Sequence, residues 1–217
     1  MFIVVASLAT IICTHKGKTM TISKTTIFNM ALNELGVSAP ITNADAQDDT
    51  RAIILNNFYE TARDEVLKAF DWNFAEKYRV LTRTKDECID PRYNYVYDFP
   101  DDCLSAREIY VIDGDKKKKK FRVSANEQGK KVILTEHDGV VLRYTRMVKK
   151  EIFFDSEFAM SLALYLAALT GQSIIGSEQK ALNALRKYNE RVKLGQVANA
   201  SEGQQKDEDD STYLDAR

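Results

Sequence analysis

The chain has 217 residues, of which 44% are hydrophobic and 10% aromatic, enough apolar material for one sizeable core. Its 31 Lys and Arg and 32 Asp and Glu give a formal net charge of -1, which excludes the strong overall charge of many proteins that bind nucleic acid or membrane surfaces. Its three cysteines and two histidines form no CxxC pair or other metal-ligand spacing, so the sequence predicts no metal site and no cofactor.

Residues 1–19 differ from the rest of the chain. Residues 2–13 are largely apolar but too few to span a bilayer, and Lys16 and Lys18 follow this stretch instead of preceding it. A polar start at Met20 leads straight into a helical pattern. We therefore expect residues 1–19 to be an over-extended reading frame ahead of a native start at Met20. The alternative is a short membrane-seeking or signal-like segment.

Residues 20–77 predict two helices of a bundle. Ser23 can cap the first helix, and Gly36 is placed to end it. The second helix is predicted over residues 45–70, with aspartates near its start, where the helix dipole favours anions. Its apolar stripe consists of Ile54, Leu55, Phe58, Ala62, Val66 and Ala69.

Residues 78–150 change to the period of a β-strand. Tyr93, Tyr95, Tyr97 and Phe99 alternate with smaller or polar residues, and short strand candidates are separated by Asp-Gly and Gln-Gly turns. This pattern predicts antiparallel hairpins. The tyrosine stripe has two interpretations, a sheet face that packs on helices and a surface that stacks nucleobases.

A run of five lysines lies between two of these strand candidates, directly after an Asp-Gly-Asp turn. We expect it to form the exposed tip of a hairpin. One interpretation is a solvated loop, and the other is a finger that contacts phosphates without reading bases. The run is Lys116, Lys117, Lys118, Lys119 and Lys120.

Residues 151–198 predict two further bundle helices. The first is largely apolar and is expected to end near Gly171, and the second carries an apolar stripe beside a charged face. Residues 199–217 are polar and acidic and are expected to form an extended docking arm. The arm ends on an aromatic and aliphatic tip, Tyr213, Leu214, Asp215, Ala216 and Arg217.

The sequence lacks the common catalytic motifs. No Gly-x-Ser-x-Gly, P-loop, His-Glu-x-x-His or dinucleotide fingerprint occurs. The adjacent acids Asp101 and Asp102, like Asp48 and Asp49, are expected to point apart, which argues against a nuclease-like metal site. We expect an α+β fold, with N- and C-terminal helices in one bundle and a central antiparallel β layer, and a role that is not enzymatic.

Several separated motifs follow one another along the chain. The first helix contains ALNELG at residues 31–36, the second begins with DAQ at 45–47, and FDWNFA follows at 70–75. Further motifs are YDFPDDCL at 97–104, LRY at 142–144, the helix over 158–168 and LDAR at 214–217. Together these motifs resemble the tail tubular protein A family, the head-to-tail adaptors of short-tailed bacteriophages. The resemblance covers nearly all of residues 20–217, and residues 1–19 and the lysine run depart from it.

The resemblance implies a structural subunit of a dodecameric ring in the virion neck, assembled in the host cytoplasm. Its expected partners are the portal protein, the tail nozzle or other neck proteins, and double-stranded DNA that passes through the lumen without sequence readout; no membrane is expected. Residues 213–217 would bind the portal, and the lysine run would contact DNA or a neighbour. The structural motif residues are Trp72, Phe74, Pro100 and Asp101, and we expect Trp72 and Phe74 to be buried where the second helix leads into the sheet. A nucleic-acid-binding protein that uses the lysine run is the alternative, and a metal-dependent enzyme is the third hypothesis.

Overall fold

A computed structural model describes residues 22–84, 90–114 and 117–205, with side chains up to residue 194. The described residues have the predicted α+β fold, with four helices and two small antiparallel sheets. The helices are α1 (Lys24–Glu34), α2 (Thr50–Ala69), α3 (Ser156–Ile175) and α4 (Glu178–Gln205). The strands are β1 (Glu76–Val80), β2 (Tyr95–Asp98), β3 (Cys103–Val111), β4 (Phe121–Ala125), β5 (Lys131–Thr135) and β6 (Val140–Arg146).

Local capping interactions fix where the helices begin and end. The side chain of Ser23 accepts a hydrogen bond from the Thr26 backbone N–H and caps α1, as predicted. The helix predicted to begin at residue 45 begins at Thr50 instead, because Asp49 accepts a hydrogen bond from the Arg51 N–H and acts as the N-cap. Residues 45–49 form turns before it.

The predicted end of α3 near Gly171 was wrong. Gly171 lies inside the helix and allows close packing there, because an added Cβ would come within 2.9 Å of Leu35 and 3.0 Å of Ala181, closer than packed carbon atoms normally approach. The helix ends instead at Gly176, which adopts the left-handed conformation of a C-cap. The last helix is longer than predicted, and it includes residues 199–205 of the expected arm. Residues 206–217, like residues 1–19, lie outside the described residues.

The α3 helix forms the centre of the bundle and contacts α1, α2 and α4. Of the described helices, it is the one whose length and composition would also allow it to cross a membrane. Much of its surface is covered by the other three helices, and Phe158, Leu162 and Leu166 are fully buried. The apolar character of α3 is thus used in the core of the bundle.

An aromatic cluster fills the end of the bundle nearest the sheets. Phe158 contacts the rings of Trp72, Phe74 and Phe154 with centroid distances of 5.2, 5.2 and 4.6 Å. The Trp72 Nε1–H donates to the Val66 carbonyl at 2.9 Å, which satisfies its polar atom within the core. The predicted burial of Trp72 is confirmed, whereas Phe74 is only partly buried.

The two sheets have the strand orders β1-β6-β3 and β2-β5-β4. Each edge of one sheet lies beside an edge of the other. The chain continues past β1 and bridges β2 through Arg83 and Tyr97, while β3 bridges the segment before β4 through Ile109 and Lys119. The six strands therefore form a barrel-like layer whose edge strands are partly paired. Its interior contains Leu81, Tyr97, Cys103, Ile109, Ile133, Val140, Leu142 and Tyr144.

A tight turn leads the chain into β3. Pro100 is buried, and its carbonyl accepts a hydrogen bond from the Cys103 N–H at 3.0 Å. Asp101 is exposed at the turn. The next carboxylate, Asp102, accepts hydrogen bonds from the Tyr144 hydroxyl at 2.9 Å and Lys77 Nζ at 2.7 Å. The geometry of this turn thus depends on Pro100 and Asp102, and burial raises the pKa of the neighbouring Cys103 thiol to about 12.

Candidate interaction surfaces

A network of ion pairs joins the helical bundle to the sheet β1-β6-β3. The Arg143 guanidinium contacts Glu76 at 2.7 Å, Asp71 at 3.2 Å and Glu108 at 3.4 Å. Arg107 contacts Asp71 at 2.8 Å and donates to the carbonyls of Lys68 and Phe70 at the end of α2. The carboxylates and guanidinium groups of this network pair with one another, which is typical of a rigid structural junction.

Burial and neighbouring charges set the ionisation of this junction. Burial works against the charged form of Arg143, but the carboxylates of Glu76, Asp71 and Glu108 outweigh it and raise the arginine pKa. Burial also opposes the charge of Glu108, while Lys118, Tyr110 and Arg143 lower its pKa overall. Both groups therefore carry charge at neutral pH, and the junction is an ion-pair network under those conditions.

Residues 117–120 of the lysine run pass from the loop between β3 and β4 onto the returning strand, and Lys116 lies outside the described residues. Lys119 is bridged to Ile109, with its N–H donating to the Ile109 carbonyl at 2.8 Å, so this end of the run lies on the strand that returns along β3. Lys118 forms an ion pair with Glu108 beside the Arg143 network. The side chains of Lys117, Lys118 and Lys120 are exposed, so three of the predicted contact residues lie on the surface.

A groove of about 710 Å³ opens where α3 begins and α4 passes over the aromatic cluster. Trp72 and Phe70 line it from below, Met160 and Leu164 from α3, and the α4 segment 187–194 from the side. Its rim is charged and includes Glu34, Glu157, Glu190, Lys187 and Arg191. Apolar walls with a charged rim are the usual composition of a protein-binding groove.

The α4 helix extends well beyond the start of α3. Gly171 of α3 packs against Ala181, and the ring of Tyr165 lies 4.9 Å from that of Tyr188. This antiparallel register places the first residue of α3 beside residue 196 of α4. Residues 197–205 therefore extend about 13 Å past the start of α3 at the rise of an α-helix.

A second apolar surface lies on the outer face of the sheet β1-β6-β3, at the end away from the bundle. Tyr78 and Val80 in β1 are 54% and 59% exposed, and Ile112, which follows β3, is 50% exposed. Tyr78 is opposite Arg143 and Val80 is opposite Val141, which places both side chains on the face that also carries Tyr110. This distal patch, Tyr78, Val80 and Ile112, has no helix packed on it among the described elements.

Sequence reasoning identified Trp72, Pro100 and the lysine run, but it did not predict the groove or the distal patch. The prediction for α4 did not single out Leu194, which is 71% exposed. The signal in the sequence that could have indicated the groove was an apolar residue outside the apolar stripe of an otherwise charged helix. The predicted tip, Tyr213 to Arg217 in the sequence, lies outside the described residues.

Among the residues that the structure describes, no group of three His, Cys, Asp or Glu side chains is placed to hold a metal ion.

No protein-family model matches the sequence, and no curated protein matches it significantly.

Proposed function

We propose that this chain is a structural, non-enzymatic subunit of a head-to-tail adaptor ring in a tailed bacteriophage. In this role it binds the portal protein on one side and tail proteins on the other, in the neck of the virion, and double-stranded DNA passes through the ring. The order of the sequence motifs from residue 31 to residue 217 provides the family resemblance on which the proposal rests.

One structural observation supports the proposal: the described residues expose two unlike apolar surfaces. The groove lies on the bundle, between α3 and α4, and the distal patch lies on the outer face of a sheet. In a heterologous contact, one surface of a subunit meets a different surface of the next copy. Heterologous contacts between unlike surfaces generate rings when the rotation between copies closes.

The rigid junction also suits a ring subunit. Arg143 and Arg107 fix the sheet β1-β6-β3 against the end of α2, so the groove and the distal patch keep one relative orientation. A ring closes only if each subunit repeats the same rotation to its neighbour. A flexible connection between the two layers would not define that rotation.

The test is to mix the purified chain with the portal protein of the same phage and to image the product by electron microscopy. We expect a ring coaxial with the portal.

Val80→Asp, which puts a charge in the distal patch, should reduce ring formation at least about tenfold, as expected for an apolar anchor of an interface. Leu182→Asp, at an exposed apolar position elsewhere, is the matched control and should assemble normally.

The absence of any portal complex would overturn the proposal. Assembly that is equally weakened by Val80→Asp and Leu182→Asp would show that the distal patch is not the ring interface.

The alternative is a nucleic-acid-binding protein that uses the lysine run. Its support is the exposure of Lys117 and Lys120 beside Arg122 on β4, but Arg122 contacts Asp90 and Lys118 contacts Glu108. This function predicts DNA binding by the isolated chain with a steep dependence on salt. Binding of that kind without any portal binding would favour the alternative over the adaptor.

A further inference from the structure

We infer that the groove between α3 and α4 is a binding site for an aromatic-aliphatic peptide, and that its occupant in the free subunit is the chain's own C-terminal tip, Tyr213 and Leu214. This inference concerns the chain alone and does not depend on the adaptor function. It assigns a partner to the groove, which the fold leaves open to solvent.

The first support is the reach of the chain. Leu194 is the last residue of α4 with a described side chain and it lines the groove, and the helix continues for eleven residues to Gln205, a distance of about 16 Å. Tyr213 follows Gln205 by eight residues, which span at most about 28 Å when extended. The segment can therefore reverse direction at the end of α4 and bring Tyr213 and Leu214 back to Leu194 and Val192.

The second support is the match between the groove and the tip. Trp72, Met160 and Leu164 give the groove an aromatic and polarisable floor, which accepts a tyrosine ring and a leucine side chain together. Leu194 at the edge is exposed to water, and the docked tip would cover it. Burial of these apolar groups supplies the free energy that orders the segment.

The third support is the distribution of charge at the rim. Arg191 is exposed at the groove and can pair with Asp215. Glu157 and Glu190, on the same rim, can pair with Arg217. A short tether gives the tip an effective concentration in the millimolar range, so even a weak peptide site would be occupied within one chain.

Trp72 fluorescence can report this contact, because Trp72 is the single tryptophan of the chain and lines the groove. We expect acrylamide to quench Trp72 fluorescence more efficiently in a chain that ends at Gln205 than in the full chain. The double variant Tyr213→Ala and Leu214→Ala should behave like the truncation. Ser211→Ala and Thr212→Ala, changed together, is the matched control and should retain the protection of the full chain.

A synthetic peptide of residues 207–217, labelled with a fluorophore, gives a second measurement. It should bind saturably to the chain that ends at Gln205. Leu194→Asp in that chain should weaken binding at least about tenfold. Leu182→Asp, also at an exposed leucine of α4 but outside the groove, should leave the affinity unchanged.

Three outcomes would overturn the inference. Equal quenching of the full and shortened chains would show that the tip does not cover Trp72, and a peptide affinity insensitive to Leu194→Asp would place the site elsewhere. Protection of Trp72 that is lost when the full chain is diluted would identify the occupant as the tip of a second copy. If these tests fail, the measurement of portal binding still tests the adaptor function. If the chain does not bind the portal, the quenching and peptide-binding measurements still test the occupant of the groove.

Discussion

The helical bundle and the barrel-like layer are stabilised by different interactions. The bundle has the larger core, in which α3 is surrounded by α1, α2 and α4 and the Trp72 cluster fills one end. The barrel has a smaller core, and it adds hydrogen-bonded tyrosines and ion pairs, such as Tyr144 with Asp102 and Arg143 with three carboxylates. In the barrel-like layer, where little apolar area is available, polar contacts set the geometry.

The bundle should be most sensitive to the loss of an aromatic ring. Phe158→Ala removes a fully buried side chain that contacts Trp72, Phe74 and Phe154, and we expect unfolding free energy to fall by about 3–5 kcal/mol. Urea unfolding followed by Trp72 fluorescence measures this change. Phe153→Ala, at a half-exposed ring, is the control and should cost well under half as much. Similar losses for both variants would contradict the central role of the cluster.

The junction should be the next most sensitive region. Arg143→Ala leaves Asp71, Glu76 and Glu108 close together without their shared cation, and we expect a loss of about 2–3 kcal/mol. Circular dichroism during urea unfolding measures it. Arg79→Ala, an exposed arginine on β1, is the comparison and should change stability little. If Arg143→Ala also changes little, apolar contacts alone fix the two layers.

Acid should weaken the barrel through Asp102. Burial opposes the charge of this carboxylate, but the hydrogen bonds from Lys77 and Tyr144 lower its pKa overall. Its contribution is therefore fully present above the pKa of an unfolded aspartate, about 4, and is lost as the pH falls through the lower folded value. The half-exposed pair limits the effect to about 1 kcal/mol or less.

The measurement for Asp102 is the melting temperature of Asp102→Asn and of the unchanged chain from neutral to acidic pH. The two proteins should differ at neutral pH and converge as the pH falls. A difference that stays constant across the range would show that the charge of Asp102 is not involved.

The smallest effect is expected at the lysine run. Replacement of all five lysines by serine removes the ion pair between Lys118 and Glu108, which is worth at most about 1 kcal/mol at this exposed position. The other changes affect side chains whose replacement should cost little, because the backbone bridge of Lys119 to Ile109 does not require its side chain. Thermal melting tests this, and an unfolded product would show that the run is structural.

The sequence by itself predicted those features whose cause is local. The Ser23 cap of α1, the alternation from Tyr95 to Tyr97 and the buried Trp72 follow from capping chemistry and periodicity, which depend on neighbouring residues. The predicted apolar face of α2 was confirmed at Leu55, Ala62 and Val66 but was wrong at Phe58, which is 39% exposed. The α+β class follows from the same patterns. The family resemblance and the function that it implies stay predictions.

The features that depend on residues far apart in the chain follow from tertiary packing and could not be predicted from local patterns. Gly171 is a close-packing position inside α3 and not its C-cap, because Leu35 and Ala181 lie too close to it for a side chain. The end of the lysine run lies on the returning strand because Lys119 bridges Ile109 across the hairpin. The groove exists because the register of α4 on α3 places Leu194 above Trp72, and a register between two helices is set by packing on both of them, which no local pattern in either helix specifies.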